Sequence, residues 1–500
     1  MGLFDMFKGS KQEIPETPVP TVVKVEPEKK PVPKARGGKP GTLGELKASG
    51  YKSVSLREEM RRNLLEMIRQ KKNVFPGIIG FDDTVIPQVL NAIISGQDII
   101  FLGERGQAKS RIMRTLINLL DEEIPIILGC EINDDPYAPI CKYCREKIAK
   151  EGDDAEIAWL RREDRYGEKL ATPDISIADL IGDVDPIKVA EGRYLSDELT
   201  MHYGLVPRTN RGIFCINELP DLTEKLQVGL FNLMEERDIQ IRGYRIRLPL
   251  DIFLVASANP EDYTNRGRII TPLKDRYGAQ IKTHYPKTIE DEITIVESER
   301  KQYGTDKIEV FVPQYMKEII AKITHLARRS PDINQRSGVS VRASIADYET
   351  VIGNAVRRAA TVGESLAVPR VTDLSYIKSS LGGKIELESF EDTKEEKVID
   401  DLVKKAVLDT FNEHYQVSGL EELIAQFSGG FAVTVSDMMP ARSYIGNAKE
   451  MMGLLKLVKS VTKSERPEEV AAAIEFILEG LHLNKRLNKS SIEGKTVYRR

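Results

Sequence analysis

Cysteine, long apolar runs and an excess of one charge are all scarce in this sequence, and each shortage excludes a class of protein. Four cysteines among 500 residues are too few for the disulfide framework of a small secreted domain. No apolar run approaches the roughly 20 residues that a membrane-spanning helix needs. The net charge of −4 provides no general attraction to nucleic acid.

The N-terminus lacks the features of a targeting segment. Asp5 and Lys8 interrupt the short apolar start, which excludes a signal-peptide layout. Met6 stands where N-myristoylation requires Ser or Thr. Residues 1 to about 50 hold seven prolines with several Lys and Glu, so we expect a disordered tail there. With 41% hydrophobic residues the remainder is able to form cores, and we expect a cytoplasmic protein of a few domains.

One stretch, residues 98–110 (DIIFLGERGQAKS), has the pattern of a phosphate-binding loop. Ile99 to Leu102 predicts a short buried strand, and the apolar-periodic run from Arg111 to Leu120 predicts the helix that follows. Glycines between them let backbone N–H groups approach phosphate oxygens, and the helix N-terminus favours an anion. Lys109 is expected to reach the β- and γ-phosphates of a nucleotide, and Ser110 to hold Mg²⁺ with its hydroxyl.

The loop departs from the usual pattern G-x-x-x-x-G-K-[ST] at one position. Ala108 stands where a glycine usually precedes the lysine. An alanine is tolerated there only if its backbone φ is negative, because a Cβ atom disfavours positive φ. The alternative interpretation of this stretch is an ordinary strand, turn and helix with a surface lysine.

Further apolar runs predict three more strands, over residues 124–128, 212–217 and 252–259. Four strands that alternate with helices predict an α/β domain with a parallel sheet. The strand ends at Gly103, Glu218 and Asn259 would then share one edge, which is where such sheets bind ligands.

Glu218 directly follows one of these strands, as an acid does when it stands beside Mg²⁺ and the attacking water in a nucleotide site. Asn217 occupies the preceding position, where Asp is usual. Its amide can accept a hydrogen bond from a metal-bound water but brings no charge. We therefore expect weaker Mg²⁺ binding, with the catalytic acid retained.

An insert over residues 129 to about 166 contains three of the four cysteines. Cys141 and Cys144 form a C-x₂-C pair that is typical of a Zn²⁺ knuckle, and Cys130 is a candidate third ligand. A fourth ligand is not evident, and the candidates are His202, Asp134 and Asp135. The alternative is a set of reduced thiols in a loop.

The periodicity divides the chain into regions. We expect an α/β nucleotide-binding core over residues 51–285 and a helical lid over 286–385, where clean helical spacing begins near Thr288. A further helical region occupies 386–500, with Ser464 to Pro467 as a helix start.

Three local features leave their roles open. Ile78 and Ile79, on a turn upstream of the phosphate loop, either cover a nucleotide base or plug the core. Alternating residues over 238–248 predict a hairpin. Gly480 is a candidate end for the last long helix.

Taken together, these motifs resemble the AAA+ ATPases, and within them the branch of MoxR and the magnesium-chelatase I subunits. The resemblance covers about residues 74–382. The loop over 103–110 is similar to the MoxR form of Walker A, in which alanine before the lysine is usual, and residues 204–219 are similar to the segment before and through Walker B. Three shorter segments resemble sensor 1, the chelatase segment with the arginine finger, and sensor 2, and these are residues 256–260, 271–278 and 340–342.

The resemblance implies a role for each motif residue. Asn217 would support the water shell of Mg²⁺, Glu218 would activate water, and Asn259 would orient it. The nucleotide would be bound by the loop residues Gly103, Glu104, Arg105, Gly106, Gln107, Ala108, Lys109 and Ser110.

Two arginines complete the site that the resemblance implies. Arg342 would contact the γ-phosphate within the same chain. Arg276 would reach the nucleotide of a neighbouring chain, and Arg266 and Arg268 are rivals for this finger. A finger that acts in trans requires a ring, so the resemblance implies a hexamer.

The resemblance further implies an ATP-driven motor or chaperone with ATP and Mg²⁺ as cofactors. Its expected partner is a protein with a von Willebrand A domain, and metal insertion or metalloprotein maturation is an expected task. Chelation of magnesium into a porphyrin is a narrower version that we do not favour, because no stretch predicts a porphyrin site.

Two other functions compete with the motor. A transcription regulator of the sigma-54-activator kind needs a Gly-Ala-Phe-Thr-Gly-Ala loop, which is absent from the sequence. Nucleic acid is accordingly not an expected partner. A nucleotide-gated scaffold with little hydrolysis is favoured by the missing charge at Asn217.

Overall fold

The computed structural model places an α/β body before a helical lid and C-terminal region. The structure describes residues 38–190, 197–236, 248–259, 268–301, 307–335, 337–388, 392–415, 420–449, 452–462, 464–492 and 495–500. Residues 1–37 of the predicted tail, the predicted hairpin apart from Leu248, and Arg266 lie outside these ranges.

In these ranges the strands, numbered in chain order, are β1 (Ile99–Leu102), β2 (Glu123–Ile127), β3 (Ile157–Arg161), β4 (Tyr166–Leu170), β5 (Gly182–Val184), β6 (Met201–Tyr203), β7 (Gly212–Asn217), β8 (Ile252–Ala258), β9 (Ala279–Lys282), β10 (Glu309–Val310), β11 (Leu366–Ala367), β12 (Val433–Val435), β13 (Asn488–Ile492) and β14 (Lys495–Arg499).

The helices of the body are α1 (Leu43–Ala48), α2 (Leu56–Arg69), α3 (Val85–Ile94), α4 (Lys109–Thr115), α5 (Lys142–Glu151), α6 (Ile177–Leu180), α7 (Pro186–Ala190), α8 (Leu205–Arg208), α9 (Glu224–Glu236) and α10 (Thr271–Arg276). Those of the lid and C-terminal region are α11 (Ile289–Glu299), α12 (Gln314–Ala327), α13 (Val341–Val362), α14 (Lys378–Leu381), α15 (Asp392–His414), α16 (Glu421–Ser428), α17 (Ala441–Lys449), α18 (Met452–Val461) and α19 (Pro467–Leu483). Short 3₁₀ turns connect several of them.

The body is built on a five-stranded sheet in the spatial order β4-β7-β8-β1-β9, in which every neighbouring pair is parallel. The central strands are continuous apolar runs because both faces of a parallel sheet are covered. Alternate side chains of β1 enter different cores: Ile99 and Phe101 pack on one face, and Ile100 on the other. The predicted parallel sheet is confirmed.

The prediction that residues 124–128 form a strand of this sheet is wrong. The run over 124–128 forms β2, which pairs antiparallel with β3 in a separate two-stranded sheet and has a small core of its own. Its expected place is taken by β4, beside β7. The sequence did not predict β4 because its residues, YGEKL, are mostly polar. Polar residues are tolerated there because β4 is an edge strand of the sheet.

The predicted tail ends earlier than residue 50. Residues 43–48 form α1, and Leu46 is fully buried. Thr42 caps this helix by accepting from the N–H of Glu45, and Trp159 Nε1 donates to Pro40 O at 2.9 Å. Burial of Leu43 and Leu46 against the insert supplies the stabilisation that composition alone did not indicate.

The lid and the C-terminal region share one hydrophobic core that extends from Val296 to Tyr498. Helix α19 lies within it, and all of its residues from Val470 to Leu481 are buried. Gly480 does not end this helix, contrary to the sequence prediction; α19 continues to Leu483. A Cβ at Gly480 would lie 2.1 Å from the ring of Phe411, so the glycine is needed for close packing.

None of the helices within the described ranges combines the length and the apolar character that crossing a membrane requires.

Candidate nucleotide-binding site

The phosphate loop joins β1 to α4, as the sequence predicts, and both of its glycines are required by close contacts. A Cβ at Gly103 would lie 2.0 Å from Thr283 Oγ1, and one at Gly106 would lie 1.9 Å from Ser340 Oγ. Gly106 also has φ of +75°, which favours glycine. The second contact ties the loop to Ser340, the residue that caps lid helix α13.

Ala108 does not have the negative φ that the sequence analysis expects of an alanine at this position. Its φ is +55°, in the left-handed region, and not negative. A Cβ in that region costs about 1–2 kcal/mol. The loop therefore keeps the backbone shape that a glycine would adopt, with an alanine held in it by its surroundings.

Lys109 belongs to a continuous row of hydrogen bonds at the carboxyl edge of the sheet. Its Nζ donates to Asn259 Oδ1 at 2.5 Å, and Asn259 Nδ2 donates to Glu218 Oε2 at 2.5 Å. The same Nζ donates to the carbonyl oxygens of Gly103 and Glu104. The structure thus brings together the three strand ends that the sequence placed at one edge.

Glu218 stands at a sharp turn just after β7, with φ of +56°. Its backbone N–H donates to Ser257 Oγ on the neighbouring strand β8. Non-glycine residues at positive φ are uncommon, and such strain concentrates at functional sites. The turn aims the carboxylate toward Asn259 instead of along the strand.

Ser110 and Asn217 are also brought together. Ser110 Oγ donates to Asn217 Oδ1 at 3.1 Å, and Ser257 Oγ donates to the same oxygen at 3.3 Å. The two side-chain oxygens predicted to serve Mg²⁺ are therefore neighbours, and both are the hard donors that this ion prefers.

Sequence reasoning missed Glu168 on β4. Asn217 Nδ2 donates to Glu168 Oε1 at 2.7 Å, and Arg114 of α4 donates twice to the same carboxylate at 2.8 Å. The hydrogen bond with Arg114 lowers the pKa of Glu168 and keeps it ionised. No motif signalled this residue, because its position depends on the pairing of Leu170 with Asn217 in the sheet.

The row from Lys109 to Glu218 lines a cleft of about 1120 Å³ between the body and the lid. The lid contributes Arg342, at the start of α13, which is exposed and also lines this cleft. Ser340 Oγ accepts from the backbone N–H of Arg342 at 3.1 Å, which orients the first turn of the helix. The predicted lid arginine is therefore within the same cleft as the phosphate loop.

Arg276 is placed differently. It ends α10, does not line the cleft among the described residues, and pairs with Glu235 of α9 at 2.5 Å. Its guanidinium lies 5.6 Å from the ring centre of Phe231, and 42% of its side chain is exposed. Its rival Arg268 is exposed as well.

The turn with Ile78 and Ile79 does not contribute to the described lining of the cleft. Ile78 is buried in the core that includes α2, α3 and β1, and Ile79 is partly buried. Of the two interpretations, the placement of Ile78 agrees with a core residue.

The cysteine insert forms a second cluster. Ligand atoms of Cys130, Asp134, Cys141 and Cys144 all lie within 4.8 Å of one another. A hydrogen bond from Cys141 lowers the pKa of Cys130 to about 5, and burial raises the pKa of Asp134 to about 7. The other two candidate ligands lie outside this cluster: Asp135 contacts Ser53 and Tyr137, and His202 is exposed on β6.

Comparison with known proteins supports the resemblance. No family model matches the chain. A magnesium-chelatase subunit ChlI homolog of Methanocaldococcus jannaschii is 28% identical over 259 residues, which cover 50% of this chain and 65% of the relative. ChlI of Nostoc is 28% identical over 325 residues, 61% of this chain and 83% of the relative. Chloroplastic ChlI-2 of Arabidopsis thaliana is matched over 56% of its length.

Among solved structures, the complex between subunits BchI and BchD of magnesium chelatase aligns with a TM-score of 0.33 and 20% identity, over 65% of this chain and 98% of that chain. The chain spans less than two thirds of the first curated relatives that it matches. The chain is a homologue of the magnesium-chelatase I subunits, and its fold and motifs fit the AAA+ ATPases of this branch.

Proposed function

We propose that this chain binds and hydrolyses ATP and uses the energy to remodel a partner protein. The observation that carries the proposal is the hydrogen-bonded row from Lys109 through Asn259 to Glu218 along the cleft. A cation, an amide and a carboxylate in this order supply a phosphate ligand, a group that orients water and an acceptor for its proton.

Each member of the row would have a separate task in hydrolysis. Lys109 donates to two carbonyl oxygens of the loop. Phosphate oxygens are stronger acceptors than carbonyl oxygens because they are charged, so Lys109 would donate to the phosphates of a bound nucleotide. Glu218 would accept a proton from water that Asn259 holds in place. Arg342 approaches from the lid, so its position depends on the angle between lid and body.

ATP and Mg²⁺ are the cofactors of this proposal. Ser110 and Asn217 would hold the hydrated ion, and Mg²⁺, when bound, neutralises charge on the phosphates. Asn217 brings no charge of its own, but Glu168 places a carboxylate 2.7 Å from its amide nitrogen. We infer that Glu168 supplies the negative charge that the Asp of other nucleotide sites provides. This inference favours hydrolysis over the scaffold alternative.

A hexameric ring would complete the site. Arg276 is exposed and does not line the cleft of its own chain among the described residues. Its ion pair with Glu235 and its contact with Phe231 hold the guanidinium on the surface of the body. A surface arginine held in this way is available to the nucleotide of a neighbouring subunit.

The partner protein that this chain would remodel is proposed from its relatives. The curated relatives are named as subunits of magnesium chelatase, which favours a task linked to metal insertion or a metalloprotein. A partner with a von Willebrand A domain is what the resemblance to this branch implies. The zinc ion predicted at the cysteines has no part in this chemistry.

The test is ATP turnover at increasing protein concentration, with wild type, Glu218→Gln and Arg276→Ala. We expect turnover per chain to rise with concentration, and both variants to bind nucleotide but lose turnover, Arg276→Ala by roughly 10³–10⁵-fold as for other arginine fingers. Glu235→Gln is the matched control, since it removes the ion pair and keeps the arginine.

Two results would contradict this proposal. Wild type that binds ATP and hydrolyses none at any concentration would support the scaffold, with Asn217 as the cause. Equal turnover of Arg276→Ala and Glu235→Gln would show that Arg276 is not an arginine finger acting in trans. The argument for a ring would then be lost as well.

A further inference from the structure

The cluster in the insert combines three sulfur atoms with one carboxylate. Cys130 follows β2, whereas Cys141 and Cys144 lie at the start of α5, and Asp134 lies on the loop between them. All four ligand atoms fall within 4.8 Å of one another. Residues that are 14 positions apart in sequence are thus gathered around one point.

Backbone N–H groups hold this cluster in shape. The N–H of Asp134 donates to Cys130 Sγ at 3.3 Å, and that of Cys144 donates to Cys141 Sγ at 3.3 Å. Donation to sulfur favours the thiolate, which is the form that binds metal. The N–H groups of Ile140 and Cys141 donate to Asp134 Oδ2 at 3.0 and 2.9 Å.

One atom of the cluster has no partner among the described residues. Asp134 is fully buried, and its Oδ1 makes no hydrogen bond although Oδ2 accepts two. A buried carboxylate oxygen without a partner destabilises the fold, because it has lost its hydrogen bonds to water without replacement. A cation at the centre of the three sulfurs would remove this destabilisation.

The donor set selects the ion. Thiolate ligands disfavour Mg²⁺ and Ca²⁺, which prefer oxygen, and three sulfurs with one carboxylate suit tetrahedral Zn²⁺. A disulfide between Cys130 and Cys141 is a weaker explanation, since their sulfurs are 4.0 Å apart and a bond requires about 2.05 Å. It would also leave Asp134 Oδ1 without a partner.

We propose that Cys130, Asp134, Cys141 and Cys144 bind one Zn²⁺ as a closed structural site. Four protein ligands leave no open position for a substrate. The site lies where the insert meets the body: Asn133 Nδ2 donates to Arg208 O at 2.7 Å, and the N–H of Lys142 donates to Glu198 at 2.7 Å. The ion would fix α5 in this position, whether or not the chain hydrolyses ATP.

Metal content of the purified full-length chain tests the proposal. We expect one zinc per chain by elemental analysis after dialysis against a weak chelator. Replacement by Co²⁺ should give the absorption of a tetrahedral site with thiolate-to-cobalt charge transfer. Chain without zinc that also gives no such band on addition of Co²⁺ would overturn the proposal.

Matched variants test the individual ligands. Cys141→Ser should lose the zinc, while Cys215→Ser, a buried cysteine of β7 outside the cluster, should keep it. Asp134→Asn should release zinc to a competing chelator at least tenfold more readily than Asp135→Asn. Circular dichroism shows whether each variant is folded, and Asp134→Asn that holds zinc as tightly as wild type would exclude the carboxylate as a ligand.

Discussion

At the scale of single residues, the site departs from common patterns at three positions. Ala108 keeps the φ of +55° that a glycine would adopt, and Glu218 has φ of +56°. Asn217 lacks a charge, and Glu168 places one beside it. Strain and unusual charge placement both persist where surrounding contacts determine them, as at functional sites.

The charge of Glu168 is testable through the requirement for Mg²⁺. Glu168→Gln keeps the shape of the side chain and removes its charge, so we expect the Mg²⁺ concentration for half-maximal ATP turnover to rise roughly tenfold, equivalent to about 1.4 kcal/mol. Asn217→Asp should lower that concentration. The measurement is a Mg²⁺ titration of turnover at fixed ATP.

The control for this titration is Glu299→Gln. Glu299 lines the cleft and, like Glu168, pairs with an arginine, which is Arg111 in its case. A Mg²⁺ requirement that shifts equally in Glu168→Gln and Glu299→Gln would contradict a specific role for Glu168.

Asp347 of α13 makes stability depend on pH. Burial raises its pKa from 3.8 to about 7, although Ser380 Oγ donates to its Oδ1 at 2.6 Å and the charge of Lys384 acts in the opposite direction. The folded chain therefore binds one proton more than the unfolded chain between about pH 4 and 7. Stability contributed by this group falls as pH rises through that window, by on the order of 4 kcal/mol.

Thermal unfolding of Asp347→Asn measures this effect. The variant carries no titrating carboxyl, so its stability relative to wild type should be clearly greater at pH 8 than at pH 5. Asp82→Asn, at an exposed position, should show no such difference between the two pH values. If Asp347→Asn gained the same stability over wild type at pH 5 and at pH 8, titration of Asp347 in this range would be refuted.

At the scale of elements, apolar periodicity predicted strands and helices well where burial is continuous. β1, β7 and β8 are apolar throughout, and the sequence identifies each of them. It missed β4 because that edge strand is mostly polar, and it misassigned the run over 124–128 because apolar residues do not specify which sheet they join. Pairing of strands depends on contacts between distant segments.

Gly480 offers an element-scale prediction. Gly480→Ala would place a Cβ 2.1 Å from the ring of Phe411, and we expect the free energy of unfolding to fall by about 1–3 kcal/mol through overpacking. Gly353→Ala is the matched control, because Gly353 lies exposed in α13 with nothing within 4 Å of its added Cβ. That variant should gain about 1 kcal/mol from helix propensity.

Thermal denaturation compares the two alanine variants. A destabilised Gly480→Ala beside a stabilised Gly353→Ala is expected. Equal stabilisation of both would mean that Gly480 is not needed for packing against Phe411.

At the scale of the whole molecule, the cleft depends on the contact between body and lid. Gly106 of the phosphate loop abuts Ser340, which caps the helix carrying Arg342. The lid in turn shares its core with the C-terminal region. A change in the angle of the lid would therefore move Arg342 and the C-terminal helices together. Assembly of several chains into a ring is tested separately, by the dependence of ATP turnover on protein concentration.

By itself, the sequence determined the phosphate loop, the carboxylate and amide at the strand ends, and the resemblance to the AAA+ ATPases, because these features are local and ordered along the chain. Only the tertiary structure decided that Glu168 stands beside Asn217 and that Asp134 joins the three cysteines. It also decided that Gly480 serves packing and that residues 43–48 are folded. The physical reason is that these contacts join segments far apart in sequence, and local periodicity carries no information about which distant residues will meet.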